Sequence, residues 1–98
     1  MAGNEGEKMK ILCSPLYEKQ LKEILNEIAE YDFNSAKSFK LYLDTIAINI
    51  PTKASKYKQS QYSANEKVKD IIYENYIIPS IIDLENHEYI LLSIIKKN

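Results

Sequence analysis

The last third of the chain constrains the fold most, because three short apolar segments are separated there by turn residues. The segments are Val68–Tyr73, Tyr76–Leu84 and Glu88–Ile95, and the turns between them are Glu74–Asn75 and Glu85–His87. Apolar segments of this length joined by such short turns predict an antiparallel β-meander. Proline has no backbone N–H, so Pro79 in the middle segment predicts a bulge or a locally unpaired edge.

A strand and two amphipathic helices are predicted ahead of the meander. Lys10–Ser14 is a short apolar run, which suits a buried strand, and Ser14–Pro15 is a typical cap and first-turn pair for a helix. Apolar residues then recur at helical spacing in two stripes, Leu21, Ile24, Leu25 and Ile28, followed by Ala36, Phe39, Leu43, Ile46 and Ile50. Two stripes joined by so few residues predict an antiparallel helical hairpin.

The second helix and the segment after it are less regular in sequence. Asn34 or Ser35 is expected to cap the second helix, and Pro51 to end it. Thr52–Lys67 has no periodicity, and a loop of that length is usually functional or mobile. The predicted fold class is therefore α+β, with an N-terminal strand, an antiparallel helical hairpin and a three-stranded antiparallel meander.

The chain has 98 residues, which suits a single domain. Residues 1–8 are polar and aperiodic, and we expect them to be a disordered leader or a cloning remnant, with residues 9–98 forming the domain. The sequence contains no apolar run long enough for a transmembrane helix and no signal-peptide core. Cys13 is alone, which excludes an internal disulfide and suits a reducing cytoplasm, and we expect its thiol to lie in the core. No cofactor or metal site is predicted.

All 13 basic residues are lysines, and the formal net charge is -1. Nucleic-acid binders are usually basic, so this balance argues mildly against a dedicated one. The planar arginine guanidinium normally grips phosphate in two places at once, and lysine provides only a point charge. A coding sequence rich in A and T would produce the same bias without any functional cause.

Three segments resemble the RelE/ParE superfamily of bacterial toxins from type II toxin–antitoxin systems. They are MKILCSPLYEKQLKEIL (residues 9–25), VKDIIYENYIIPSIID (68–83) and YILLSIIKKN (89–98). The resemblance implies a toxin neutralised by a cognate antitoxin. RelE-type members cut mRNA on the ribosome with basic residues and often a tyrosine or histidine, whereas ParE-type members poison DNA gyrase.

The chain departs from the endonuclease pattern where the superfamily usually has arginine and tyrosine. Lys69 stands at the usual arginine that opens the first meander strand, and the typical Tyr-Arg-x-x-Tyr of the middle strand is Tyr76, Ile77, Ile78, Pro79, Ser80. RNA cleavage through the 2′-hydroxyl needs a base, an acid and positive charge on the phosphorane. Because Ile77 and Ser80 provide no charge, we predict no catalytic residue and a ParE-like protein that binds its target, such as DNA gyrase.

Two alternatives remain at this stage: a RelE-like ribosome-dependent endonuclease that uses lysines, and a non-toxic, degenerate member of the superfamily. Candidate contacts to a target or to phosphate are Lys53, Lys56, Lys58, Lys67, Lys69, Lys96 and Lys97. Tyr57 and Tyr62 could offer stacking faces within the loop, although a solvated loop and a charged chain end explain these lysines equally simply. Tyr73, Tyr76 and Tyr89 are the candidates for an antitoxin-binding groove. His87 is expected in a turn without a catalytic role, and Asp70 and Glu74 are not expected to form a dyad.

Overall fold

A computed structural model of the chain describes residues 10–61 and 63–97. The predictions for residues 1–8 and for Tyr62 therefore lie outside the described residues. The elements are β1 (Lys10–Cys13), α1 (Pro15–Tyr31), α2 (Phe33–Ile48), α3 (Ile50–Lys53), a 3-10 turn (Ala54–Lys56), β2 (Lys58–Gln59), β3 (Val68–Tyr73), β4 (Tyr76–Asp83), β5 (Glu88–Leu91) and β6 (Ile95–Lys96). This order confirms the predicted α+β class with its helical hairpin and antiparallel meander.

The strands form one sheet in the order β1-β5-β4-β3-β2, with β6 pairing a different stretch of β4. The meander β3–β4–β5 is antiparallel throughout, and β1 joins its far side parallel to β5. Because β1 is an edge strand, Leu12 and Cys13 are exposed, and the expectation of a buried strand with a buried thiol was wrong. A short apolar run does not reveal whether its strand will have neighbours on both sides.

Ser14 joins the start of α1 to the last strands of the meander. Its hydroxyl accepts a hydrogen bond from the Tyr17 N–H at 3.0 Å, as an N-cap residue should, and donates to the Leu92 carbonyl. One turn further along the helix, the Gln20 side-chain oxygen accepts from the Ile94 N–H at 2.8 Å. These contacts fix the chain after β5 against α1.

Asp32 caps α2, which corrects the prediction of Asn34 or Ser35. The Asp32 carboxylate accepts hydrogen bonds from the Asn34 N–H at 3.1 Å and from the Ser35 hydroxyl at 2.8 Å. Pro51 does not end α2 either. That helix ends at Ile48, and Pro51 lies in the first turn of α3, where its missing N–H breaks no hydrogen bond.

The segment predicted as a long loop, Thr52–Lys67, contains ordered elements. The end of α3, the 3-10 turn and β2 all lie in it, and β2 pairs antiparallel with β3 through Lys58–Asp70 and Gln59–Lys69. The buried Ala54 joins the hydrophobic core. These elements are too short to show periodicity in the sequence, and tertiary contacts hold them in place.

Pro79 causes no bulge, because the β3–β4 register runs unbroken through the Asp70–Pro79 pair. On its other side β4 pairs with β5 from Ser80 onwards and with β6 only at Tyr76 and Ile77. Pro79 therefore has no strand partner on this side, and its missing N–H leaves no hydrogen bond between strands unmade. This agrees with the predicted locally unpaired edge. The predicted strand Glu88–Ile95 is accordingly two strands, β5 and β6, with Leu92 donating to the Pro79 carbonyl between them.

Both helices pack on one face of the sheet, and the core lies between the two layers. Alternate residues of β3, β4 and β5 point into this core, and the predicted stripes of both helices meet them. Leu21, Leu43 and Ile50 are buried there, and Ile24, Leu25, Phe39 and Ile46 are packed partly buried against them. The helical hairpin predicted from the stripes is confirmed.

Candidate functional site

The seven candidate lysines do not converge on one cleft. Lys58 and Lys69 lie on neighbouring strands but on opposite faces, since Lys58 is in register with Asp70 and Lys69 with Gln59. Lys67 is engaged in an ion pair, with its ammonium 3.3 Å from the Asp83 carboxylate. A phosphate bound by Lys58 on one face would therefore be out of reach of Lys69 on the other.

The remaining candidate lysines are exposed at separate places on the molecule. Lys53 and Lys56 belong to α3 and the 3-10 turn, while Lys96 and Lys97 lie at the end of the chain, beside the start of β4. Lys69 and Lys96 pair with β4 residues four positions apart, which puts them about 13 Å apart along the strand and on opposite sides of it. Lys69 and Lys96 are therefore not positioned to share one phosphate.

The two β4 positions where the superfamily pattern has arginine and tyrosine face opposite sides of the sheet. Ile77 is half-buried on the face away from the helices. Ser80 faces the helices with 0% of its surface exposed, and its hydroxyl donates to the Ile78 carbonyl at 3.1 Å. A hydroxyl that is enclosed and already hydrogen-bonded cannot exchange protons with a substrate in this conformation.

The other titratable candidates are also isolated from one another. His87 lies in the turn between β4 and β5 with a φ of 52°, as expected for a turn residue. Asp70 is on β3 and Glu74 is in the following turn. The Gln61 N–H donates to one Asp70 oxygen at 3.4 Å, and the other oxygen, which is buried, has no hydrogen-bond partner among the described residues.

The sheet face opposite the helices, here called the outer face, carries a cluster of aliphatic side chains, and strand register places Lys10, Asp70, Asp83 and Glu88 around it. Register places Leu12, Ile72, Ile77, Ile81 and Ile90 on it, one or two from each of four adjacent strands. Leu12 and Ile72 are exposed, and the other three are half-buried. Antiparallel sheets that face water usually alternate apolar and polar residues, so this face has the composition of a binding surface.

Two of the three candidate tyrosines, Tyr73 and Tyr76, line a cleft between the start of α2 and the β3–β4 turn, here called the aromatic cleft. Its volume is about 530 Å³. The Phe39 ring packs against both tyrosines, with centroids 5.0 Å from Tyr73 and 5.5 Å from Tyr76. The exposed ring of Tyr42 completes the aromatic lining. Tyr89 is elsewhere, in the core and 1% exposed.

Sequence reasoning identified Tyr73 and Tyr76 but did not associate Phe39 and Tyr42 with them. Phe39 was assigned to the buried stripe of α2, and Tyr42 lies off that stripe. Desolvation raises the pKa of both Tyr73 and Tyr76. The Glu74 carboxylate raises the pKa of Tyr73 further, and the Glu27 carboxylate that of Tyr76. These tyrosines are therefore neutral hydrogen-bonding groups at physiological pH.

Residues 10–61 and 63–97 contain no group of three or more His, Cys, Asp or Glu side chains arranged to hold a metal ion. Within the same ranges, no helix is both long and apolar enough to cross a membrane.

Among the comparisons with known proteins, the comparison of three-dimensional structures gives a match. No protein-family model matches the sequence, and no curated protein matches it. A chain of the solved structure of the chromosomal ParDE TA system from P. aeruginosa is similar, with a TM-score of 0.71 and 13% sequence identity. The similarity covers 92% of this chain and 97% of that chain, so it extends over the whole domain. The chain therefore has a RelE/ParE-like fold, as its sequence resemblance implied.

Proposed function

We propose that the protein is the toxin component of a type II toxin–antitoxin system, of the ParE-like kind. It binds a target such as DNA gyrase in the bacterial cytoplasm, inhibits growth, and is neutralised by a cognate antitoxin. The observation that carries this proposal is the structural similarity to a chain of a ParDE system across 92% of this chain. The segments that resemble the superfamily in sequence fall in β1, α1 and the strands that follow the helical hairpin.

The placement of the polar side chains supports binding over chemistry. An endonuclease needs an acid, a base and a cation around one phosphate. In this protein Ser80 is enclosed and Lys67 is paired with Asp83. Lys69 and Lys58 lie on opposite faces of the sheet. The side chains best placed to contact a macromolecule are aliphatic and aromatic, which suits a protein–protein contact.

The outer face and the free edge of β1 support the antitoxin part of the proposal. The backbone N–H groups of Lys10 and Ser14 donate hydrogen bonds towards β5. Because alternate residues of a strand direct their backbone groups to opposite sides, the N–H and C=O groups of Ile11 and Cys13 point away from the sheet. An extended antitoxin segment can pair with this edge, and the apolar residues that continue from it can cross the outer face from Leu12 and Ile90 to Ile72. The antitoxin would then bury the aliphatic surface that the toxin leaves open.

The target is tested with the full-length purified protein in two parallel assays. One measures supercoiling of relaxed plasmid by DNA gyrase, and the other measures mRNA integrity in a reconstituted translation reaction. We expect supercoiling to fall in proportion to added protein, with the mRNA intact. Site-specific mRNA cleavage with unaffected supercoiling would overturn the proposal in favour of the lysine-based endonuclease. No effect in either assay, together with normal growth on strong induction, would identify a non-toxic member.

The antitoxin surface is tested with two isoleucine-to-lysine variants of exposed residues. Ile72→Lys places a charge on the outer face, and Ile48→Lys places the same charge on α2, away from the sheet. The protein encoded by the neighbouring small reading frame is the probe. We expect Ile72→Lys to weaken its binding at least tenfold and Ile48→Lys to leave binding unchanged. The reverse result would move the antitoxin to the helices.

A further inference from the structure

The aromatic cleft has an electrostatic character that the proposed function does not use. Its lining residues include two carboxylates, Asp32 and Glu74, and the described residues that line it include no basic side chain. Two lysines lie near the cleft without lining it: Lys97, whose backbone N–H donates to the Asn75 carbonyl, and Lys96, which pairs with Tyr76 and lies in a separate groove beside Glu23 and Glu27. The lining of the cleft therefore carries two negative charges and no positive one.

The start of α2 also opens into this cleft, and a helix N-terminus ordinarily attracts anions. Here its amides are already used by Asp32. The Asp32 carboxylate accepts from the Asn34 N–H, and the Asp32 backbone carbonyl accepts from the N–H groups of Ser35 and Ala36 at 3.1 and 3.3 Å. A second anion would meet few free donors and a fixed negative charge, so the helix end does not make the cleft an anion site.

The aromatic rings reinforce the preference for a cation. Ring faces carry the negative part of the aromatic quadrupole, and a lysine or arginine side chain within about 6 Å of a ring centroid is attracted to it. The protein shows the same contact elsewhere, with the Lys37 ammonium 5.9 Å from the Phe33 ring centroid. In the cleft, Tyr42 offers an exposed ring beside Tyr73 and Tyr76.

Glu74 is held at the cleft by an unusual backbone conformation. Its φ is 53°, in the left-handed region where glycine or asparagine is the usual residue of a two-residue hairpin turn. A glutamate there is less favourable than glycine or asparagine would be. The turn nevertheless presents a carboxylate beside the aromatic rings.

We propose that the aromatic cleft binds a lysine or arginine side chain presented by a protein partner. Two carboxylates complement the cation, and the aromatic rings take its charged head and its apolar stem. The volume of about 530 Å³ is within the range of specific ligand sites. The cleft is open to solvent, so a small free cation would keep most of its water. A polypeptide, unlike a small cation, can also cover the exposed rings of Tyr31 and Phe33, which flank Asp32 in the chain.

This inference does not rest on the proposed function, because any partner with an exposed basic side chain satisfies it. The test is a titration of the ¹⁵N-labelled full chain, followed by NMR, with the capped tripeptide acetyl-Ala-Arg-Ala-amide. The isosteric citrulline peptide, which lacks the charge, is the matched probe, and methylguanidinium is the small-cation probe. We expect shifts at Ser38, Glu74 and Asn75, with the arginine peptide binding at least fivefold more tightly than either comparison probe.

Two variants and one matched control assign the binding to the cleft. Glu74→Gln removes the charge of a side chain that forms no ion pair with the described residues, and Tyr42→Leu removes an exposed ring without changing charge. Each is expected to weaken arginine-peptide binding at least threefold. Glu85→Gln, in the turn at the other end of β4, is expected to leave it unchanged. Thermal unfolding of each variant verifies that it is folded, and Tyr42→Leu keeps the test valid if Glu74→Gln is unstable.

Several results would overturn the proposal. Equal binding of the citrulline peptide would exclude recognition of charge, and equal binding of methylguanidinium would exclude recognition of a polypeptide. Shifts of the cleft amides with inorganic phosphate but not with the arginine peptide would mean that the α2 N-terminus dominates. Unchanged binding in both cleft variants would place the peptide elsewhere.

Discussion

Two leucines of α2, only two residues apart, provide a direct test of the fold. Leu43 is 1% exposed and packs in the core, whereas Leu41 is 63% exposed. Truncation of a buried leucine to alanine loses the transfer free energy of its side chain and leaves a cavity, which together cost about 3 kcal/mol. Leu43→Ala should therefore lower the free energy of unfolding by about 3 kcal/mol. Leu41→Ala should change it by less than about 0.5 kcal/mol.

Leu41→Ala is the matched control because both variants make the same chemical change on the same helix. A domain of this size loses about 4–8 °C of melting temperature per kcal/mol, so Leu43→Ala should melt about 12–24 °C below the parent. Urea unfolding followed by circular dichroism at 222 nm gives the free energies, measured at two protein concentrations. Equal losses for the two variants at both concentrations would mean that Leu41 is also buried within the monomer, which would refute the placement of α2.

Three further predictions concern single side chains. Hydrogen bonds from Asn86 hold the pKa of Asp83 below its ordinary value of 3.8, so its carboxylate stabilises the fold above that value. Asp83→Asn should be less stable than the parent at pH 7, and urea titrations should show the difference vanish as the pH falls below 3.8. Glu74→Gly should raise the free energy of unfolding by about 0.5 kcal/mol, because relief of the left-handed backbone exceeds the entropy that glycine adds to the unfolded chain; a lower melting temperature would contradict this. Cys13 is exposed, so a disulfide reagent should label it without denaturant. Partial desolvation and the Glu18 carboxylate raise the thiol pKa above 9.0, so the labelling rate should still be rising at that pH, and a thiol that reacts only in urea would contradict the exposed edge strand.

Local patterns were sufficient to predict the elements with strong periodicity or specific turn chemistry. The helical hairpin follows from apolar residues spaced three and four apart, and Leu21 and Leu43 are buried as that spacing requires. The β3–β4 hairpin follows from two apolar segments separated by Glu74–Asn75, and its register pairs Tyr73 with Tyr76. In both cases the information lies within a few residues of the chain.

Features that depend on distant contacts were not accessible from local patterns. The strand β2 has only two residues, and it forms because Lys58 and Gln59 pair with β3. No local sequence pattern predicts it. The exposure of Cys13 depends on β1 being the sheet edge, which is a property of strand order. The aromatic cleft likewise combines α2 with the β3–β4 turn, more than 30 residues away, through the Tyr73 hydroxyl that donates to the Phe39 carbonyl.

The sidedness of β4 connects the fold to the function. Its sequence is apolar at nearly every position, so alternation alone could not assign Ile77 and Ser80 to a face. Register does assign them: Ser80 lies with Leu91 against the helices, and Ile77 lies on the outer face. A charged side chain at residue 80 would lie in the core. A phosphate-binding group at that position would therefore destabilise the fold. Residue 77 is only half-buried on the outer face, where the isoleucine extends the aliphatic cluster of Leu12, Ile72, Ile81 and Ile90.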